Sequence, residues 1–138
     1  MTTFVFRRQL TVEYGHCDPD GVAFMSQLYQ YFDTSTWLLF EAALGVKPPD
    51  FMATIGILPL VEVRANCRKP PRFGDVIEIA SRVSEFRRSS FNVEHRITIG
   101  GELAVEGGET RVWAVRDKND GAKISSRPIP PEIIARFS

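Results

Sequence analysis

The chain has 138 residues and a mass of 15.6 kDa, enough for one sizeable core and too few for two ordinary domains. Hydrophobic residues make up 43% and charged residues 25%, which excludes a disordered or fibrous chain. Seventeen Lys+Arg balance seventeen Asp+Glu, so no global field draws nucleic acid or an anionic membrane surface.

Residues 4 to 14 alternate. Phe4, Phe6, Leu10, Val12 and Tyr14 share one face, and Arg7, Gln9, Thr11 and Glu13 the other, the mark of a half-buried strand. Arg8 breaks the apolar face, which suits a position at a sheet edge. After the turn-like Asp18-Pro19-Asp20-Gly21 the period changes to three and four, through Leu28, Phe32, Ser35, Leu39 and Ala42. This predicts one long helix of about five turns, with Ser26 as its N-cap and Gly45 as its stop. Lys47-Pro48-Pro49 should prevent its resumption, and a short helix is expected from Asp50 to about Ile55.

Everything beyond reads as sheet. Val61, Val63, Ala65 and Cys67 alternate with charged and polar residues, Pro70-Pro71 and Phe73-Gly74-Asp75 turn the chain, and Val76 to Phe86 gives a second run. Phe91, Val93, His95, Ile97 and Ile99 form a third, and Gly100-Gly101 a hairpin turn. A fourth covers Leu103 to Val115, with a bulge expected at Gly107-Gly108. The tail from Pro130 to Phe137 suits a short helix. One long apolar helix against an antiparallel sheet is an α+β pattern, and a sheet curved around that helix is its economical solution.

No apolar run is long enough to span a bilayer, and the N-terminus carries no signal-peptide pattern. Cys17 and Cys67 make neither a disulfide framework nor a four-ligand zinc site. The expectation is a cytoplasmic protein of one domain, residues 1–138, without metal or cofactor and without a nucleic-acid or membrane partner. Arginine outnumbers lysine thirteen to four, and guanidinium suits bidentate recognition of phosphate, so where the arginines lie matters.

Three segments carry candidate chemistry. In Tyr14-Gly15-His16-Cys17-Asp18-Pro19-Asp20-Gly21, Asp, Pro and Gly stand where a type I turn wants them. The same segment puts the Asp18 carboxylate beside the start of the long helix, where free N–H groups can stabilise an oxyanion. Adjacent residues in extended chain point to opposite sides, so His16, Cys17 and Asp18 do not form a contiguous triad. Phe86-Arg87-Arg88-Ser89-Ser90-Phe91 is either a solvated strand end or a phosphate site. Asp33 is either an ordinary surface carboxylate of the helix or a ligand contact. Phe32, Trp37, Phe40 and Trp113 read as core, Lys69 and Arg72 as exposed loop charges, and His95 as buried by alternation.

Taken together, Val12 to Gly21, Tyr29-Gln30-Tyr31-Phe32-Asp33, Phe73 to Ile79 and Phe86 to Phe91 resemble the 4-hydroxybenzoyl-CoA thioesterase family of the hot-dog fold, in order and over nearly the whole chain. The resemblance implies about five antiparallel strands wrapped around one long helix, and a homodimer or dimer of dimers (homotetramer) with active sites at the subunit interface. It implies hydrolysis of an acyl-CoA thioester, with coenzyme A as part of the substrate and an aromatic acyl group such as 4-hydroxybenzoyl favoured. Asp18 takes the role of nucleophile or general base, and a backbone N–H near Met25 that of oxyanion donor. Arg87, Arg88, Ser89 and Ser90 would meet coenzyme A phosphates, and Asp33 a polar group on the acyl ring. His16 stands where many relatives carry another Asp, and Phe24-Met25-Ser26-Gln27-Leu28 lacks the Tyr and Asn common there, so the acyl pocket departs from the family pattern. Two alternatives share the scaffold: a non-catalytic acyl-CoA binding module, and a hydratase using His95 as base.

Overall fold

The computed structural model describes residues 2–138. Helix α1, Met25–Leu44, is about 30 Å long at 1.5 Å per residue. It buries Leu28, Tyr31, Phe32, Ser35, Thr36, Leu39, Phe40 and Ala43, spaced alternately by three and one. Gly45 ends it in the left-handed conformation, φ 72°. The expected Ser26 cap is not the one used: the helix starts two residues earlier, from Phe24, without a side-chain cap. The chain is steered into it instead by backbone bonds from Ala23 N–H to Pro71 O and from Phe24 N–H to His16 O.

Strands β1 (Phe6–Thr11), β2 (Leu60–Cys67), β3 (Val76–Phe86), β4 (Ser90–Ile99) and β5 (Glu102–Val112) form one antiparallel sheet in the order β1-β3-β4-β5-β2. This is the curved sheet around one helix that the pattern implied. Several boundaries differ from expectation. The first strand ends early in a 3-10 turn at Tyr14–His16, which leaves Tyr14 exposed rather than inward. Pro48 and Pro49 do not merely block α1. They open helix α2, Pro48–Thr54, where a missing N–H costs nothing. The last long run breaks at Trp113, and Ala114–Arg116 (β6) leaves to pair with Ile124–Ser126 (β7). The tail forms helix α3, Pro131–Ala135, whose following Phe137 packs on Phe4, Phe40 and Phe86.

The expected bulge at Gly107-Gly108 is absent from the ladder. Register slips instead at Ile97/Thr98 against β5, at Val83/Glu85 and at Leu60/Glu62. The slip in β2 turns Val61 outward. Gly107 has a different reason: carbons of the Phe32 ring occupy the place a Cβ would take, so the helix approaches the sheet closely there.

The core is divided. One apolar cluster lies under the second half of α1, around Leu39, Phe40, Phe51, Val83, Phe91, Val93, Trp113 and Phe137. The other lies under its first half, around Leu28, Tyr31, Phe32, Ile77, Ile79, Ile97 and Val105. Between them stand buried polar side chains on four elements: Ser35 and Thr36 on α1, Ser81 on β3, His95 on β4, Glu109 and Arg111 on β5. No helix among the described residues is long and apolar enough to cross a membrane.

Candidate active site

The loop before α1 folds back on itself. Cys17 bridges Ala23, Asp18 N–H donates to Val22 O at 2.9 Å, and Gly21 adopts φ 79°. Asp18 Oδ1 accepts the N–H groups of Asp20 at 2.9 Å and Val22 at 3.0 Å. The turn reading of this segment is therefore correct as far as it goes. The other oxygen, Oδ2, has no protein partner among the described residues, and Asp18 is half-buried. Three residues beyond Val22, α1 begins uncapped. The N–H groups of Met25 and Ser26 precede the first intrahelical bonds, which Gln27 and Leu28 N–H make to Phe24 O. One end of the molecule thus holds a carboxylate oxygen and helix N–H donors without an acceptor among the described residues, the two groups that acyl transfer needs.

His16 does not assist Asp18. Its Nδ1 lies 2.8 Å from Tyr31 Oη and 3.3 Å from the Glu13 N–H, and its ring meets Tyr31 edge-on at 5.5 Å. Nδ1 accepts and the phenol donates, so His16 ties the 3-10 turn to α1. Burial, with the Cys17 and Glu13 charges adding to it, pushes the Tyr31 phenol up to about 12, which keeps it a donor. Arg8 extends this contact, as Nε reaches Ser35 Oγ at 2.8 Å and Nη2 the Tyr31 carbonyl at 3.0 Å. It lies on edge strand β1, as its break in the apolar pattern suggested.

Arg87, Arg88, Ser89 and Ser90 form the β3–β4 turn. Arg87 is folded into that turn, with Nε on Ser90 Oγ at 2.9 Å, Nη2 on Asn92 Oδ1 at 2.9 Å and its N–H on Ser90 O at 2.8 Å. The carbonyls of Arg88 and Ser89 accept from Ile129 and Trp113 N–H, anchoring the turn to the C-terminal segment. The exposed Arg88 guanidinium has no protein acceptor among the described residues. Phe86 beside this turn packs into the cluster under the second half of α1, whereas Cys17 and Ala23 belong to the cluster under the first half. A single chain therefore holds Asp18 and the arginine turn at opposite ends of the helix.

Asp33 is neither a free surface carboxylate nor isolated. Its Oδ1 accepts from Arg111 Nη2 at 2.6 Å. Arg111, 2% exposed, also donates to Glu109 Oε2 at 2.8 Å, to Glu109 Oε1 at 3.3 Å and to Leu58 O at 2.9 Å. Glu109 in turn receives His95 Nε2 at 3.1 Å and the Thr36 hydroxyl, and His95 Nδ1 meets Ser81 Oγ at 2.7 Å. The His95 ring stacks on Phe32 at 4.6 Å. Burial alone would raise the Glu109 carboxyl, but hydrogen bonds from His95 and Arg111 and the Arg111 charge hold it down at about 2. Sequence reading missed Glu109 and Arg111. The available signal was two charges at inward positions of β5, in step with Val105 and Trp113.

A sheet of five antiparallel strands wrapped around a buried central helix is the hot-dog architecture, and its candidate site lies where the loop meets the helix start. The thioesterase-like superfamily model matches residues 12–137, and the chain belongs to that family. It is 29% identical, over 136 residues, to the 4-hydroxybenzoyl-CoA thioesterase of Pseudomonas sp. (strain CBS-3), covering 91% of this chain and 92% of that one. A crystal structure of an Asp-to-Asn mutant of 4-hydroxybenzoyl-CoA thioesterase in complex with 4-hydroxybenzoyl-CoA superimposes with a TM-score of 0.86 at 25% identity, over 97% of this chain and 99% of that one. A gentisyl-coenzyme A thioesterase shares the fold, with a TM-score of 0.80 at 24% identity over 98% and 100% of the two chains.

Proposed function

We propose that this protein is an acyl-CoA thioesterase acting on an aromatic acyl-CoA such as 4-hydroxybenzoyl-CoA. The observation that carries the reading is Asp18: one oxygen is fixed by two turn N–H groups, the other is left for chemistry, and the uncapped start of α1 lies beside it. The named relatives, which are thioesterases of aromatic acyl-CoAs, support the substrate class. So does the complex of an Asp-to-Asn mutant of one of them with 4-hydroxybenzoyl-CoA.

In this mechanism the thioester carbonyl oxygen lies against the Met25 N–H, and Asp18 acts at the carbonyl carbon. It either attacks directly, giving a mixed anhydride that water then cleaves, or removes a proton from the attacking water. In both routes the C–S bond breaks, the acyl group leaves as the acid and the sulfur leaves on coenzyme A. Pre-formed N–H donors suit the tetrahedral oxyanion because they need no reorganisation as charge develops. Arg88, with Arg87, Ser89 and Ser90, meets the phosphates of coenzyme A, and that distant binding places the thioester.

Asp18 and the arginine turn lie at opposite ends of one subunit, so the complete site needs two. Strand β2 is an edge of the sheet, with Leu60 and Val61 exposed. Pairing β2 of two copies about a two-fold axis sets the Asp18 end of one subunit beside the arginine end of its partner. The protein is therefore read as a homodimer or a dimer of dimers, with a shared site.

The test is thiol release from benzoyl, hydroxybenzoyl, phenylacetyl and aliphatic acyl-CoAs by wild type and Asp18→Asn. Asn keeps the turn and removes the charge, so Asp18→Asn should still bind coenzyme A while kcat falls at least about a hundredfold. Equal activity of the two proteins would remove Asp18 from the mechanism. Binding without turnover of any thioester by wild type would favour the binding-module alternative. Label from water found in Asp18 after a single turnover establishes direct attack, with water opening the anhydride at the aspartyl carbon, whereas general-base catalysis and opening at the acyl carbon both put the label in the released acid.

A further inference from the structure

Among the described residues, three arginines are withdrawn from solvent: Arg8, Arg82 and Arg111. Arg82 meets Glu94 at 3.4 Å, and Arg111 meets Asp33 and Glu109. Arg8 alone of the three has no carboxylate partner among the described residues. Its Nε donates to Ser35 Oγ and one hydrogen of Nη2 to the Tyr31 carbonyl, both neutral acceptors. Burial pushes the guanidinium below its ordinary value, yet it remains a cation at any working pH. Both hydrogens of Nη1 and one of Nη2 are left over. No enclosed side-chain nitrogen lacks a partner among the described residues, so Nη1, which has none, opens outward. Arg8 lines a cleft of about 260 Å³ between edge strand β1 and α1. Gln27, Gln30 and Thr34 line it along one face of the helix, and their carboxamides and hydroxyl can donate. His16 and Glu13 complete the wall, with the Glu13 side chain 76% exposed and 3.6 Å from His16 Nε2. The cleft lies at the β1 edge of the sheet, and the open β2 edge is at the other side.

We propose that the β1–α1 cleft is a binding site for a small carboxylate, held by the free N–H groups of Arg8 and by Gln27, Gln30 and Thr34. Guanidinium N–H groups match carboxylate oxygens, and neutral donors beside them add hydrogen bonds without adding charge. The Glu13 carboxylate at the wall repels a guest in proportion to the guest's charge, which favours a monoanion over a phosphate dianion. Its exposure keeps that repulsion small. A bound carboxylate gives Arg8 the counter-charge that Arg82 and Arg111 already have within the chain. The inference does not depend on the thioesterase reading, because it concerns binding and not turnover.

The probe is acetate, with inorganic phosphate and chloride compared at equal ionic strength. With a dissociation constant of about 1 mM, about 10 mM acetate multiplies the folded-to-unfolded ratio about elevenfold and raises the melting temperature by about 4 °C. The side-chain amide signals of Gln27 and Gln30 in NMR spectra should shift saturably over the same range. Phosphate should bind about tenfold more weakly and chloride should have no saturable effect. Arg8→Met should abolish both responses to acetate, and Gln30→Ala/Thr34→Ala should weaken binding about tenfold. Arg88→Ala should change neither response, which separates this cleft from the arginine turn. If Arg8→Met does not fold, Arg8→Lys keeps the cation without the planar fork and should bind acetate about tenfold more weakly. An acetate response equal to that of chloride, one that survives the loss of the Arg8 cation, or phosphate binding tighter than acetate would overturn the proposal. So would dissociation of an oligomer by Arg8→Met with no response to acetate in wild type, since the counter-charge would then come from a neighbouring subunit. Thiol release by wild type and Asp18→Asn is read separately, so this proposal and the thioesterase reading can fail independently.

Discussion

The ionised state of Glu109 can be tested through acid stability. An ordinary glutamate titrates near 4.5, and here the carboxyl is held at about 2. At about 1.4 kcal/mol per tenfold change, that difference corresponds to about 3 kcal/mol of folded-state stabilisation by the proton's absence. A depressed folded value gives stability that is complete above pH 4.5 and is lost as pH falls toward 2, with about 2 kcal/mol gone by pH 3. Urea unfolding at pH 6 and pH 3, followed by fluorescence of Trp37 and Trp113, reads the loss. With a typical urea slope of about 2 kcal/mol per molar, the Glu109 share moves the midpoint by about 1 M. Other carboxylates titrate in the same window, so the measurement is the difference from Glu109→Gln, which cannot lose this term. Glu109→Gln should be less stable at pH 6, by about 3 kcal/mol, because Arg111 is left buried with Asp33 alone. It should then lose about 1 M less in midpoint on going to pH 3. Equal losses by the two proteins would show that Glu109 is not ionised in the fold, and the polar layer would have to be rebuilt around a neutral acid.

Other expectations follow from single contacts. Gly107→Ala pushes a methyl into the Phe32 ring and should cost about 1–3 kcal/mol, read as a lower melting temperature with the family fold retained. Arg88→Ala should raise KM for acyl-CoA about tenfold, with little change in kcat and a weaker dependence of KM on salt; an unchanged KM would take Arg88 out of the phosphate site. Val61→Lys places a charge on the open edge of β2 and should shift light scattering toward the 15.6 kDa monomer, with activity lost in proportion. An active monomer would refute the shared site. Cys17→Ser should keep activity, since the thiol sits 3.5 Å from the Glu13 carbonyl in the turn and is given no chemical role.

The sheet, the long helix and the loop carrying Asp18 were legible because each is written in local terms. Period two marks β1, β3 and β4, periods of three and four mark α1, and Asp-Pro-x-Gly names its own turn. What failed to show was whatever depends on a distant partner. Ser26 is a good cap by composition, yet the start of α1 is set by the carbonyls of Pro71 and His16, which no local pattern reports. Gly107-Gly108 looked like a bulge because glycine in a strand has several causes, and the cause here is a ring on the helix. Asp33 looked like a surface carboxylate because its partner is 78 residues away on β5.

Arg111 and Glu109 also bear on why the core is divided at all. Replacing a buried ion pair by apolar residues of similar size is commonly neutral or stabilising, so the fold by itself does not require charges in its middle layer. Two apolar clusters that already bury Phe32, Phe40, Ile79 and Val93 could meet directly. The network reaches solvent at one end, through Asp33. A lone carboxylate on a half-buried helix face would swing between rotamers and keep its own hydration. Asp33 is instead held by a guanidinium whose other donors go to Glu109 and the Leu58 carbonyl, with Thr36 and His95 bonded to Glu109 and Ser81 to His95 behind it. Removing one member of such a set therefore costs more than replacing the set, because the charge left behind stays buried without its partner.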